Sequence, residues 1–182
     1  MLINKILYLV SSFMKCKIIK GDEGQPYLER YMVARWGKDG EKTLFLHRFL
    51  DSDPDRGIHD HPWNSISFII SGGYFEKRLI KQNGVEKVIF RNIKPLSFNT
   101  IRKNDFHQII LKKKTPTWTL FYHGARVKHW GFQHYIENSD TTITKTEFIP
   151  YEDKTNPTEK WEDRALTGKY AHREKINYIF YK

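Results

Sequence analysis

The chain has 182 residues, 39% of them hydrophobic and 15% aromatic, which suits one globular domain with a sizeable core and excludes disorder over the main body. A formal charge of +10 admits nucleic acid or another polyanion as a partner, but no nucleic-acid motif accompanies it, so a solvated, lysine-rich surface is the favoured reading. Cys16 is the single cysteine, which excludes an internal disulfide and fits a reducing, cytoplasmic setting.

Met1 to Met14 is apolar, with Lys5 inside it. It is too short to span a bilayer, so no transmembrane segment is expected, and no small-residue cleavage site precedes Lys15-Cys16-Lys17. A short helix or strand packed on the domain is expected there, with weak membrane contact left open. Residues 1–25 are read as this N-terminal segment, 26–150 as an all-β domain, and 151–182 as an irregular or short-helical extension. Tyr27 to Trp36 and Thr43 to Leu50 read as a hairpin around Lys38-Asp39-Gly40-Glu41. Ser52 to Gly57 is a loop by composition. His59 to Ser71 is expected as one long apolar strand, closed by Gly72-Gly73. Tyr74 to Lys81 and Val85 to Ile93 flank Asn83-Gly84, a strong hairpin signal. Leu96 to Ile101, Phe106 to Leu111 and Trp118 to His123 follow as strands, with Thr141 to Phe148 as one more. Beyond Pro150 a short helix is expected around Thr158 to Leu166, with Thr158 as its cap, and Tyr178 to Tyr181 is expected to dock on the body. Short strands at even spacing indicate a sandwich or barrel.

The chemistry concentrates at Gly57-Ile58-His59-Asp60-His61-Pro62-Trp63. Two histidines two residues apart on a strand leave the same face, and neutral imidazole is the commonest metal ligand. Gly57 lets the backbone come in close before them. His107 opens a later strand, and separate strands of a barrel can aim ligands into one lumen. His59, His61 and His107 are therefore the candidate metal ligands.

In order and spacing these residues resemble the two motifs of the cupin superfamily. The first is Gly57, His59-Asp60-His61, Ser67 to Ile70 and Gly72-Gly73-Tyr74-Phe75-Glu76; the second is Pro95, Arg102 to Asp105 and His107. The resemblance spans residues 43–123 and implies a single-domain jelly-roll barrel, a double-stranded β-helix. Where most metal-binding cupins place a glutamate beyond the second histidine, this chain has Ser65 and Ile66. A three-histidine site without that carboxylate looks like the thiol dioxygenase branch, typified by cysteine dioxygenase. Tyr122 matches that branch's tyrosine, whereas Leu120 stands in place of a histidine and the crosslinking cysteine is absent. The chain also looks like uncharacterised cupin-like proteins with a His-Asp-His-Pro-Trp signature.

The resemblance implies Fe(II), while three imidazoles alone are equally compatible with Ni, Zn or Mn. It implies O2 and a small thiol or acidic substrate, with Tyr122 bonding to or protonating an oxygen intermediate. His47 and Arg48 face opposite ways on one strand, so one of them points into the lumen. His47 is a candidate acid/base group and Arg48 a candidate anion clamp. Arg126 is a second candidate clamp and Trp130 a candidate pocket wall. Core packing or surface ion pairing is the competing reading for each of these five. The leading function is iron-dependent oxygenation. The alternatives are a metal-dependent sugar or keto-acid isomerase, or a non-catalytic module binding a ligand, protein or nucleic acid. By analogy with cupins a homodimer is conceivable.

Overall fold

A computed structural model describes residues 2–112, 116–138, 142–151 and 160–175. Its elements in chain order are α1 (Leu2–Ser11), β1 (Cys16–Lys20), β2 (Pro26–Trp36), β3 (Lys42–Phe49), β4 (Ile58–His59), β5 (Ser65–Ser71), β6 (Tyr74–Gln82), β7 (Val85–Ile93), β8 (Phe98–Ile101), β9 (His107–Leu111), β10 (Thr117–His123), β11 (Gly131–Glu137), β12 (Ile143–Pro150) and α2 (Trp161–Arg164). The expected cap Thr158, the first residue of the expected strand from Thr141, and Tyr178 to Tyr181 lie outside the described residues.

The strands form two six-stranded sheets, β1-β2-β3-β10-β5-β8 and β12-β11-β4-β9-β6-β7. Between β3 and β11 the chain passes back and forth between the two sheets, the topology of a double-stranded β-helix. The all-β, single-domain jelly-roll barrel expected from the motifs is the fold observed. The turns follow the chemistry read from the sequence. Asn83 and Gly84 both take positive φ, 52° and 83°, as a type I′ hairpin turn requires.

The core between the sheets is built from Leu28, Phe49 and Ile69 on the first sheet and Tyr74, Ile93, Ile109 and Leu111 on the second. The outer face of the first sheet carries a second cluster, Cys16, Tyr31, Leu46 and Trp118, covered by Leu7, Tyr8, Met14 and Ala171. Helix α1 and the C-terminal segment thus roof one face of the barrel. Behind them Arg48 pairs with the fully buried Glu29 at 3.1 Å. The N-terminal segment also contributes β1, which pairs with β2 at the sheet edge.

One expectation is corrected. The stretch from His59 to Ser71 is not a single strand: β4 belongs to the second sheet and β5 to the first. Buried positions change phase across the break, from Ile58, Asp60 and Pro62 to Ser65, Ser67 and Ile69, and the backbone hydrogen bonds change partners. Pro62 has no N–H to give a ladder, and residues 60–64 bond instead to the segment before β11. Asp60 N donates to Gly131 O, Val127 N to Pro62 O and Gly124 N to Asn64 O. The buried Asp60 carboxylate accepts from Gly131 N at 2.9 Å and pairs with Lys128. The chain therefore crosses the barrel directly after His59.

Candidate metal centre

His59 ends β4 and lies directly opposite His107, the first residue of β9, so the two imidazoles are cross-strand neighbours on one face. His61 reaches the same point from the crossing rather than from a strand. Before them, Gly57 has φ 90°, and a Cβ there would meet the Gln133 carbonyl oxygen at 2.8 Å. Only glycine lets β4 sit this close to β11.

The ligand nitrogens of His59, His61 and His107 all lie within 4.8 Å of one another. His61 Nε2 and His107 Nε2 are 2.9 Å apart. Two nitrogens bound to one cation at about 2.1 Å stand about 3.0 Å apart in cis positions and about 3.4 Å apart in a tetrahedron. The His61–His107 pair fits the first, and completing the set requires the His59 ring to close in. Burial, with the neighbouring His107, holds His59 well below the usual imidazole pKa; burial, with His59 and His107, does the same for His61. Both are neutral at neutral pH, so a cation can take either ring by a nitrogen lone pair once the His61–His107 hydrogen bond is exchanged for coordination. The donor set therefore fits a divalent metal.

A feature the sequence reading gave no role is what aims His107. Its Nδ1 lies 3.1 Å from Oε1 of Glu76, which is fully buried. Nδ1–H donates to the carboxylate and leaves Nε2 as the ligand atom. Glu76 is itself held by Asn99 Nδ2 at 2.9 Å, Arg78 Nη2 at 3.0 Å and Arg91 Nη1 at 2.9 Å. Burial alone would raise its pKa; the hydrogen bond and charge of His107, with the Asn99 and Arg78 bonds, bring it down to about 2.

The other candidates are dispersed. His47 is on the lumen side, stacked on Phe121 at 4.8 Å, and Phe121 in turn adjoins His61. Its Nε2 accepts a bond from Arg30 Nε at 3.1 Å, so the lone pair at that nitrogen is taken. Trp130 stands beside His59, ring centroids 6.3 Å apart, where it forms a wall with Phe132 and Tyr151. Arg48 lies on the outer face, bonded to Glu29 and to the Glu174 carbonyl. Tyr122 alternates with Phe121 along β10 and stacks on Trp36 at 5.6 Å, away from the histidines. Arg126 is exposed. The structure brings together His59, His61, His107 and Trp130, with His47 nearby, and leaves Arg48 and Tyr122 elsewhere.

Two more residues face the lumen here. His123 stacks on Trp63 at 3.9 Å, and its Nδ1 donates to the Gly124 carbonyl. Arg30, opposite His47 in the β2–β3 ladder, has its guanidinium 5.0 Å from the Phe45 ring centroid. Burial lowers its pKa to about 10, which leaves it a cation at neutral pH. A groove of about 810 Å³ lined by Arg78, Arg102, Asp105 and Phe106, among others, includes none of the three histidines.

No family model matches the chain, and no curated protein matches it. Among solved structures it is similar to hydroxypropylphosphonic acid epoxidase from S. wedmorenis, at 16% identity and a TM-score of 0.45 over 60% of this chain and 55% of that one. It is similar to oxalate oxidase in complex with glycolate at 16% identity and a TM-score of 0.44, over 58% and 53% of the two chains. It is also similar to a cupin-2 domain from Rhodospirillum rubrum, at 13% identity and a TM-score of 0.49 over 70% and 78%. The match thus spans little more than half the length of the epoxidase and the oxidase. The resemblance to thiol dioxygenases is one of sequence motifs alone.

Proposed function

We propose that this protein is a metal-dependent oxidoreductase that uses O2 on a small acidic substrate, with Fe(II) held by His59, His61 and His107. The observation that carries the reading is the convergence of three imidazoles, one of them oriented by Glu76 and, among the described residues, none accompanied by a carboxylate ligand. Three protein ligands leave coordination positions open, where bound iron would supply electrons and a site for substrate and oxygen.

The chain's own residues supply the remaining functions. Arg30 is the cation available to a substrate anion. It bonds to His47 through Nε and lies over the Phe45 ring, and its Nη groups have no hydrogen-bond partner among the described residues. In a water-poor lumen a planar guanidinium binds carboxylate or phosphonate through paired N–H donors. Arg48, bonded to Glu29, already has such a partner. Phe121, Trp63, Trp130 and Phe132 supply an apolar surround that limits water. His47 orients Arg30 through Nε2.

The isomerase reading has one observation in its favour. His123 donates from Nδ1 to the Gly124 carbonyl, which leaves Nε2 as a free base beside the lumen, and burial lowers its pKa to about 4. The deciding experiment loads the protein anaerobically with Fe(II) and follows oxygen consumption with small thiols, hydroxy acids and phosphonates. Substrate-dependent oxygen uptake supports the oxygenase. Turnover of a keto acid or sugar without oxygen uptake establishes the isomerase instead.

A further inference from the structure

Helix α1 packs Leu7 and Tyr8 on the body and leaves its broader apolar stripe outside. At about 100° per residue, Leu2, Ile3, Ile6, Leu9 and Val10 fall within one arc of about 120°, and Phe13 in the next turn continues it. All six are exposed, Leu2, Leu9 and Phe13 by 72%, 63% and 75%. A surface helix ordinarily buries its apolar stripe. Here the side against the body carries Leu7, Tyr8 and the buried Ser11, and Arg173 clamps it from the protein side. Arg173 Nη1 donates to the Tyr8 carbonyl and Ser11 Oγ, and Nη2 to Ser12 Oγ. The neighbouring segment is tied on by Gly168 N to Met14 O and Lys169 N to Ser12 O, and adds exposed Leu166 and Tyr170 to the apolar surface. Exposed Lys15 and Lys169 stand at its margin.

We propose that this face docks on the surface of an anionic lipid bilayer, with α1 lying in the interface and its apolar side among the acyl chains. Two observations choose this occupant. The helix has 10 residues, too short to cross a membrane but sufficient to lie in one. The chain carries +10; an anionic bilayer offers both an apolar medium and opposite charge, whereas a second copy would set +10 against +10. The docking face is on the outer side of the first sheet and is independent of the metal centre.

The test is co-sedimentation of the full chain with vesicles of phosphatidylcholine alone or with added phosphatidylserine. Binding to the phosphatidylserine vesicles is expected, with about tenfold weaker binding to neutral vesicles and in high salt. Ile6→Ser with Phe13→Ser is expected to weaken binding at least about tenfold. Lys15→Glu with Lys169→Glu is expected to weaken it several-fold on anionic vesicles only. These positions are exposed, so circular dichroism of the variants should match the parent, and the two pairs act on different forces. The proposal is overturned if the parent binds neither vesicle, binds both equally, or binds undiminished in the Ile6/Phe13 variant. It is equally overturned if sedimentation equilibrium shows a dimer that this variant dissociates, since the face would then belong to a second copy.

Discussion

Glu76 Oε1 stands 3.1 Å from His107 Nδ1, a carboxylate that touches the proposed ligand without being one. It lies on β6, beyond the position where a metal-binding carboxylate would be sought in the sequence, and acts through the far side of the ring. Glu76→Gln keeps an acceptor for Nδ1–H but removes the charge that strengthens the ligand. Metal affinity should fall about 10- to 100-fold, as measured by competition with a chelator of known strength. Unchanged affinity would reduce Glu76 to an anchor for Arg78 and Arg91.

Replacing any one of His59, His61 or His107 by alanine should abolish stoichiometric metal uptake, because two imidazoles remain for a site built from three. His47→Ala should leave uptake intact, since its Nε2 is bonded to Arg30. Elemental analysis after gel filtration in metal-free buffer distinguishes the two classes.

Arg30→Gln should weaken binding of small carboxylates by about 10- to 100-fold, the range expected for a lost charged hydrogen bond, while metal content is unchanged. The absorption spectrum of the Co(II)-loaded protein, titrated with carboxylates and phosphonates, reports it. The same titration on Arg48→Gln should show parent-like affinity if the variant folds, because that guanidinium faces the other side of the sheet.

The metal-free protein should lose stability as the medium is acidified below neutrality. His59, His61 and His123 have folded pKa values depressed below the ordinary 6.5, His123 to about 4. Between those values the unfolded chain takes up protons that the folded chain refuses, so stability is complete above pH 6.5 and declines towards pH 4. His123 alone accounts for about 3 kcal/mol across that window. Thermal denaturation at successive pH values measures it, and His123→Phe should flatten the slope.

Much of the barrel was legible in the chain. Asn83-Gly84, the Pro95 restart and the alternating strands set the hairpins, since turn chemistry and side-chain periodicity are local properties. The crossing at Asp60 to Asn64 was not, because the change of sheet is set by hydrogen bonds to residues 124–131, far away in sequence, and the shift of buried positions from Ile58, Asp60 and Pro62 to Ser65, Ser67 and Ile69 follows from it. The three histidines could be found from spacing because two are adjacent and the third opens a strand. Glu76 and Arg30 owe their places to register between strands far apart in sequence. In the β6–β9 ladder Glu76 is opposite Ile109, and in the β2–β3 ladder Arg30 is opposite His47. No pattern within either strand announces such a pairing. For His47 and Arg48, alternation said that one would face inward, and the outer-face Glu29 shows which one did not.

Cys16 sits beneath α1, buried with Tyr31, Leu46 and Trp118, and burial pushes its thiol up to about 12. An unionised, covered thiol is a poor nucleophile, so its alkylation must wait until the helix lifts from the sheet. The native protein thus carries its own clock for that opening, since the alkylation rate at this one sulfur counts departures of α1 without any engineered cysteine. Vesicles that hold the helix by its outer side would leave that clock at its resting pace or slow it, and vesicles that strip the helix from the body would make it run fast.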